Sequence, residues 1–348
     1  MVKPDFSKIP KGSTLDEMAS FFDVEKDYLR RYHNIYCDLD DLIENEIPRH
    51  LVKLFVPPKN KEYERVLMSG QAVSAFSPAD ILEKSRLFHK EYGVIQTSYD
   101  NEAKSKRISF LMEIGKIDVF KYSINRKTIY INHHAPDLVL EKMAEKAGSI
   151  FFPLEVETLP NGNLKQITNI EDIRKRWKIL RPEMVNYYKG PLADNLIGRI
   201  DKDLGNKYQI QDRILASLFY RLYFLPFRDY VKNMEREFDL YLPLFPFKRK
   251  VRYQVKIAEQ PSLSETGKML LHIKGKLADT RMFFEIMNGK MPLERQEEDI
   301  TIKCGGNIDA LYKFNKEDGS LASLEANIIL NSEDQKNIKK ITVEIYQQ

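Results

Sequence analysis

The chain has 348 residues, 43% hydrophobic and 30% charged, with 55 Lys and Arg against 51 Asp and Glu for a net charge of +4. That length accommodates two or three domains with a substantial core, and so small a net charge does not mark a nucleic-acid binder. With 15 Gly and 16 Pro a collagen-like or low-complexity chain is excluded, and the apolar runs fall well short of the ~20 residues that cross a bilayer.

No apolar h-region follows Met1-Val2-Lys3-Pro4-Asp5-Phe6, so the expectation is no cleaved secretory signal and a cytoplasmic location. Cys37 and Cys304 lie far apart, which suits a reducing compartment better than a disulfide framework. Residues 1–58 hold eight Lys and Arg against eleven Asp and Glu, leaving +7 on the remainder. An acidic small module ahead of a basic larger one is the first sign of modular organisation.

Within the small module, Leu15, Met18, Ala19 and Phe22 recur on one helix face. Ser13 or Thr14 can cap that helix, with Glu17 three residues past Thr14 for a capping box. Val24, Tyr28, Leu29 and Tyr32 make a second short helical face. Leu54-Phe55-Val56 reads as an extended run, and Pro57-Pro58 as the domain end. Residues 59–107 read as a charged connector with one helix, over Ser77 to His89, and a charged loop over Asp100 to Arg107.

A larger domain is expected over 108–348. Ile108–Ile114, Thr128–Ile131 and Phe151–Thr158 read as strands, and Pro136–Lys146 as a helix. Asn161-Gly162 between two apolar runs predicts a hairpin turn. Thr168-Asn169-Ile170-Glu171 reads as a capping box opening a helix that carries Ile173, Trp177 and Leu180 and is interrupted at Pro182. Ile210–Phe224 is the most apolar helix. Strands follow at Phe238–Phe247, Val251–Ala258 and Met269–Leu277. Strict alternation over Ile308 to Phe314 and Ala322 to Leu330, joined by Asp318-Gly319, predicts another hairpin, and Ile341–Ile345 a last strand. The expected class is α+β, with a mostly antiparallel sheet packed on helices.

The opening Gly12-Ser13-Thr14-Leu15-Asp16-Glu17-Met18-Ala19 resembles the G-D-T-L-x-x-I-A start of the LysM domain family. Phe22, Val24, Leu29 and Asn34 fall where that family has its F, V, L and N. Ile9 matches its first-strand Val, and Leu54-Phe55-Val56-Pro57 its closing L-x-I-P. The resemblance covers residues 5 to 58. It implies a βααβ module with a shallow groove for N-acetylglucosamine polymers such as peptidoglycan or chitin. That groove falls between Lys11–Leu15 and Ile35–Val52, and its candidates are Ser13, Thr14, Leu15, Asn34, Arg49 and His50. Three departures mark this chain. Ser13 replaces the Asp. The loop after Asn34 is long and acidic, with Asp38, Asp40, Asp41, Glu44 and Glu46. The turn that carries a Gly in the family is His50-Leu51-Val52. LysM-like modules also serve as docking units in cytoplasmic assemblies, and these departures favour that use.

No phosphate-binding loop, nucleophile elbow, HExxH or paired CxxC is present, and neither a cofactor nor a metal is expected. Gly305-Gly306 reads as a turn. His133-His134 reads as surface, because neighbours on a strand would face opposite ways. His33 sits at a helix end, where the dipole favours it. Arg174, Arg176 and Lys178, and Lys248, Arg249, Lys250 and Arg252, form two basic runs, read either as solvated faces or as docking patches for an acidic surface, including the acidic loop of the same chain. The dense Tyr and Phe read as core, with a lipid-like ligand beneath a curved sheet as the other possibility.

The sequence therefore points first to a non-enzymatic adaptor inside a bacterial assembly such as a contractile injection apparatus, phage-tail-like or type VI-like. The alternative is a binder of N-acetylglucosamine polymers. The expected partners are other assembly proteins or such a glycan, with neither nucleic acid nor membrane insertion. A glycan hydrolase in 108–348 is a third reading. It would need two carboxylates about 5–9.5 Å apart.

Overall fold

The computed structural model describes residues 5–37, 41–43, 46–57, 86–101, 103–215, 217–227, 229, 236–245, 248–258, 262–263, 268–289, 304–332, 334 and 336–348. The N-terminal residues form a two-stranded antiparallel sheet, β1 (Phe6–Lys8) with β2 (Lys53–Phe55), enclosing helices α1 (Leu15–Phe22) and α2 (Lys26–Tyr36) in sequence. The predicted capping box starts α1: Glu17 N–H donates to Thr14 Oγ1 at 3.2 Å, and Thr14 N–H donates to the Glu17 carboxylate at 2.9 Å. The helical spacing of Leu15, Met18 and Ala19 turns them into a core with Leu29, Ile43, Leu51, Leu54 and Val56. That core is small, and a module of this size seldom holds itself together on so few side chains.

The rest of the protein is built on one large antiparallel sheet, twelve-stranded among the described residues. A first meander runs through β3 (Phe88–Asp100), β4 (Ala103–Asp118), β5 (Lys121–Ile131), β6 (Leu154–Thr158) and β7 (Leu164–Ile167). A second runs through β8 (Phe238–Leu242), β9 (Val251–Ile257), β11 (Met269–Leu277), β12 (Gly305–Phe314) and β13 (Leu321–Asn331), with short β10 (Ser262–Leu263) beside β11. The C-terminal strand β14 (Ile338–Gln347) pairs β13 on one side and β3 on the other, and so joins the two meanders. The sheet thus begins inside the stretch expected as a connector. Phe88 to Asp100 is strand, and most of the expected charged loop over Asp100 to Arg107 lies in β3 and β4. The remainder of the expected connector helix, 77–85, lies outside the described residues.

Helices cover one face. They are α3 (Val139–Ser149), α4 (Ile170–Tyr187), α5 (Pro191–Gly205), α6 (Lys207–Leu215), α7 (Leu218–Tyr223) and α8 (Phe283–Asn288). The apolar stretch expected as one helix is divided, with Ser217 capping α7 through Tyr220 N–H. Helix α4 runs on through Pro182. Its start carries no side-chain cap, because Asn169 is spent elsewhere: its side chain accepts from Glu155 N–H at 3.0 Å and donates to Pro153 O at 2.9 Å.

Strand alternation sorts the sheet residues between two layers. Val94, Val343 and Ile345 join the helical core, whereas Ile95 and Tyr346 point to the opposite face. Several tyrosines bury their rings in the helical layer and bond their hydroxyls there. Tyr312 donates to Leu222 O at 3.1 Å, Tyr253 to Ile329 O at 3.1 Å, and Tyr223 to the Tyr92 hydroxyl at 3.3 Å. The aromatic-lined space bordered by Phe88, Tyr122, Phe224 and Phe314 measures about 90 Å³. Small-molecule pockets measure roughly 300–1,000 Å³, so this space does not hold the lipid-like ligand considered from sequence.

Candidate functional site

Two loops meet at one end of the small sheet. Ile9 N–H donates to Val52 O at 3.1 Å, continuing the β1–β2 pairing past Lys8 and Lys53. The chain before Thr14 and the turn containing Arg49 and His50 therefore lie side by side. Thr14, Arg49 and His50 are exposed and Ser13 is half-buried. Two groove candidates are corrected. Leu15 is 1% exposed and belongs to the core. Asn34 is fully buried and ties down the following loop, donating to Ile43 O at 2.9 Å and accepting from Ile43 N–H at 2.8 Å.

His33 is also fully buried. Phe55 N–H donates to its Nδ1 at 3.0 Å, which leaves Nε2 as the protonated nitrogen facing Asp41 O at 3.0 Å. Burial lowers its pKa, against the opposing pull of Asp41. It is a neutral structural histidine, not a cation placed for a helix dipole. Of the acidic loop, Asp41 is half-buried, with its carboxylate 3.4 Å from His50 Nε2, and Glu46 is exposed. Asp38, Asp40 and Glu44 lie outside the described residues.

The module sits on the face of the large sheet opposite the helices. Cys37, Leu42 and Phe55 pack on Ile95 of β3 and Tyr346 of β14. Beside this seam Arg30 Nη1 donates to both oxygens of Glu344 at 3.0 Å, and Arg31 Nη1 to Glu325 at 2.8 Å. Tyr346 adds a 2.5 Å bond from its hydroxyl to Glu344. Burial works against the Arg30 charge, but Glu344 and Tyr346 outweigh it, so its pKa rises. Two consecutive arginines on a helix carry no local mark of such distant partners.

The two basic runs meet different fates. On α4, Arg174 binds Glu171 at 2.6 Å and Leu204 O at 2.9 Å, and Arg176 binds Ile150 O at 2.6 Å and Pro153 O at 3.1 Å. These are ties between elements, while Lys178 is exposed. In the second run Arg252 pairs with Asp239 at 2.9 Å. Lys248, Arg249 and Lys250 instead line a cavity of about 1250 Å³. Arg199, Lys202, Arg213 and Arg281 stand on the same wall, and the sequence reading had not joined them to that run.

Cys304 donates its thiol to Asn331 O at 3.2 Å, and burial, reinforced by Asp279, pushes its pKa up to about 12. A thiol so held supplies no thiolate nucleophile at neutral pH. Gly305 and Gly306 begin β12 instead of making a turn. His133 lies in a turn with φ +70°, its ring against the Arg107 guanidinium. Among the described residues no three His, Cys, Asp or Glu side chains are grouped to hold a metal ion, and no helix is long and apolar enough to cross a membrane.

No family model matches the sequence, and no curated protein matches it. Among solved structures the chain is similar to one described as "Lipid-protein interactions in lipovitellin", at 9% identity and a TM-score of 0.40, over 75% of this chain and 25% of that one. The match thus spans a quarter of that structure's length.

Proposed function

We propose that this protein is a non-enzymatic adaptor, in which a LysM-like module and an α+β domain dock different partners within a bacterial multiprotein assembly such as a contractile injection apparatus. One observation carries this reading: the module is clamped to the large sheet by the Arg30–Glu344 and Arg31–Glu325 pairs. A sugar-binding module on a flexible tether would need no such clamp. Fixed in place, it offers its exposed loop end and the rest of the protein in one set geometry, which is what bridging two partners requires. The resemblance in sequence and the βααβ order support a LysM-like origin for the module. The test is affinity purification of the native protein from its own cells with mass spectrometry. Co-purification of tail-tube, spike or baseplate-type proteins is expected, and an empty pull-down would overturn the reading.

The adjoining of the two loops at Ile9 and Val52 favours a second reading, binding of N-acetylglucosamine oligomers. Saturable binding of such oligomers, abolished by changing Ser13, Arg49 or His50 in a folded variant, would establish it in place of the adaptor role. These three side chains contribute nothing to the module's core.

A further inference from the structure

The cavity of about 1250 Å³ gathers cations from four separate stretches of chain. Arg199 and Lys202 come from α5, one turn apart, and Arg213 from α6. Lys248, Arg249 and Lys250 precede β9, and Arg281 follows β11. Three carboxylates share the wall, and each is already matched: Asp203 by Arg213 at 2.8 Å, Asp212 by Lys250 at 3.3 Å, and Asp279 by Arg281 at 2.5 Å. Lys248 reaches only a carbonyl, Asn288 O at 3.2 Å. The side chains of Lys202 and Arg249 make no hydrogen bond or ion pair among the described residues. Among the described residues the surplus on this wall is therefore positive, whereas the whole chain carries only +4.

A second observation is independent of that charge count. The Arg281 side chain is 6% exposed, and its Nη1 is buried without a hydrogen-bond partner. Its other nitrogens are fixed, Nη2 on Asp279 and on Lys250 O at 2.7 Å, and Nε on Asp279 at 2.8 Å. The Arg281 guanidinium is thereby held in one orientation on the cavity wall.

We propose that this cavity binds a small ligand carrying clustered phosphate groups. Guanidinium forks match phosphate oxygens in pairs, and four arginines with flanking lysines on separate stretches of chain surround a compact anion from several sides. An extended nucleic acid would call for stacking aromatics, and among the described residues Phe245 is the only aromatic one on the wall. The site does not depend on the adaptor reading, and either can fail alone.

The test is calorimetric titration of the full chain with sodium tripolyphosphate, alone and with added salt. Saturable binding that weakens as salt rises is expected. The double variant Lys202→Ala/Arg249→Ala should bind about tenfold or more weakly, the scale of losing charge-assisted bonds, with an unchanged melting temperature because both side chains are exposed. Lys178→Ala, away from the cavity, should bind as the wild type does. Co-sedimentation with phosphatidylcholine vesicles containing phosphatidic acid, lost in the same double variant, would place the phosphates on a lipid. Binding of tripolyphosphate but not vesicles would place them on a soluble compound. Absence of saturable binding to both, equal binding by the double variant, or tighter binding of polyglutamate than of tripolyphosphate would overturn the proposal.

Discussion

Arg30 Nη1 lies 3.0 Å from both carboxylate oxygens of Glu344, 314 residues later in the chain. Both side chains are 12% exposed. The pair closes one edge of the apolar seam made by Cys37, Leu42, Ile95 and Tyr346, so the module's attachment combines a little burial with a pairing that one sheet position can satisfy.

Removing one member leaves the other buried and unmatched. Arg30→Ala is expected to destabilise the docked protein by about 3 kcal/mol, at the low end for buried pairs because some solvent reaches both groups. Glu344→Ala should cost a similar amount, and the exchange Arg30→Glu/Glu344→Arg should recover part of it. Urea denaturation of the four proteins checks this. Additive losses in the double variant would show that the two side chains do not act on one another.

His33 makes the module sensitive to acid in a defined direction. Its folded pKa is lowered by burial, so between that value and the ordinary value near 6.5 the unfolded chain holds a proton that the native chain does not. The stability it confers is complete above about pH 6.5 and is lost as pH falls through the folded value. Protonation would also cost the bond from Phe55 N–H to Nδ1. Between about pH 7.5 and about pH 5.5, on either side of the ordinary value, the wild-type urea midpoint should fall more steeply than that of His33→Gln. Equal slopes would remove His33 from the account.

Much of this fold is legible in local pattern. Asn161-Gly162 and Asp318-Gly319 turn hairpins as their residue types require, with Gly162 at φ +97° and Gly319 at φ +69°. Alternation predicts β12 and β13 because helices bury one side of each. The first long strand was missed for a physical reason. Tyr92, Gly93, Val94 and Ile95 are all buried, the first and third under helices and Ile95 under the small module, so no polar face shows. The Arg30 and Arg31 partners and the cationic cavity join residues far apart in sequence, and helix-surface charges carry no local mark of where they end.

Asn34 separates a folding role from a binding one. Alanine there strands Ile43 N–H and O in a buried site, and about 2–3 kcal/mol of stability should go with it. Leu15→Ala should cost about 2–5 kcal/mol as a core cavity. Any loss of oligosaccharide binding in either variant would then track unfolding, which circular dichroism at the assay temperature would reveal. A folded Asn34→Ala protein of native stability would contradict the clip.

Gly289 ends α8 at φ +69°, and a Cβ there would lie 2.6 Å from Lys248 Cδ. Gly289→Ala should cost about 1–2 kcal/mol through the left-handed backbone and push Lys248 off Asn288 O. A variant with an unaltered melting temperature would show that the Lys248 side chain yields freely.

Both thiols should resist modification while the protein is folded. Cys37 is 2% exposed within the seam between module and sheet, and burial first, then Asp279, pushes the Cys304 pKa up to about 12. At pH near 8 Cys304 stays a thiol, and the thiolate is the reacting species, whereas Cys37 is shielded by its burial. Ellman's reagent should therefore label neither in the native protein and both in denaturant. The two sites report on different events. Arg30→Ala, by loosening the module, should expose Cys37 and leave Cys304, which lies across the sheet beside Asn331, unlabelled. Fast labelling of Cys304 in the native wild type would contradict its burial, and equal protection of Cys37 in Arg30→Ala would mean that the apolar seam alone holds the module in place.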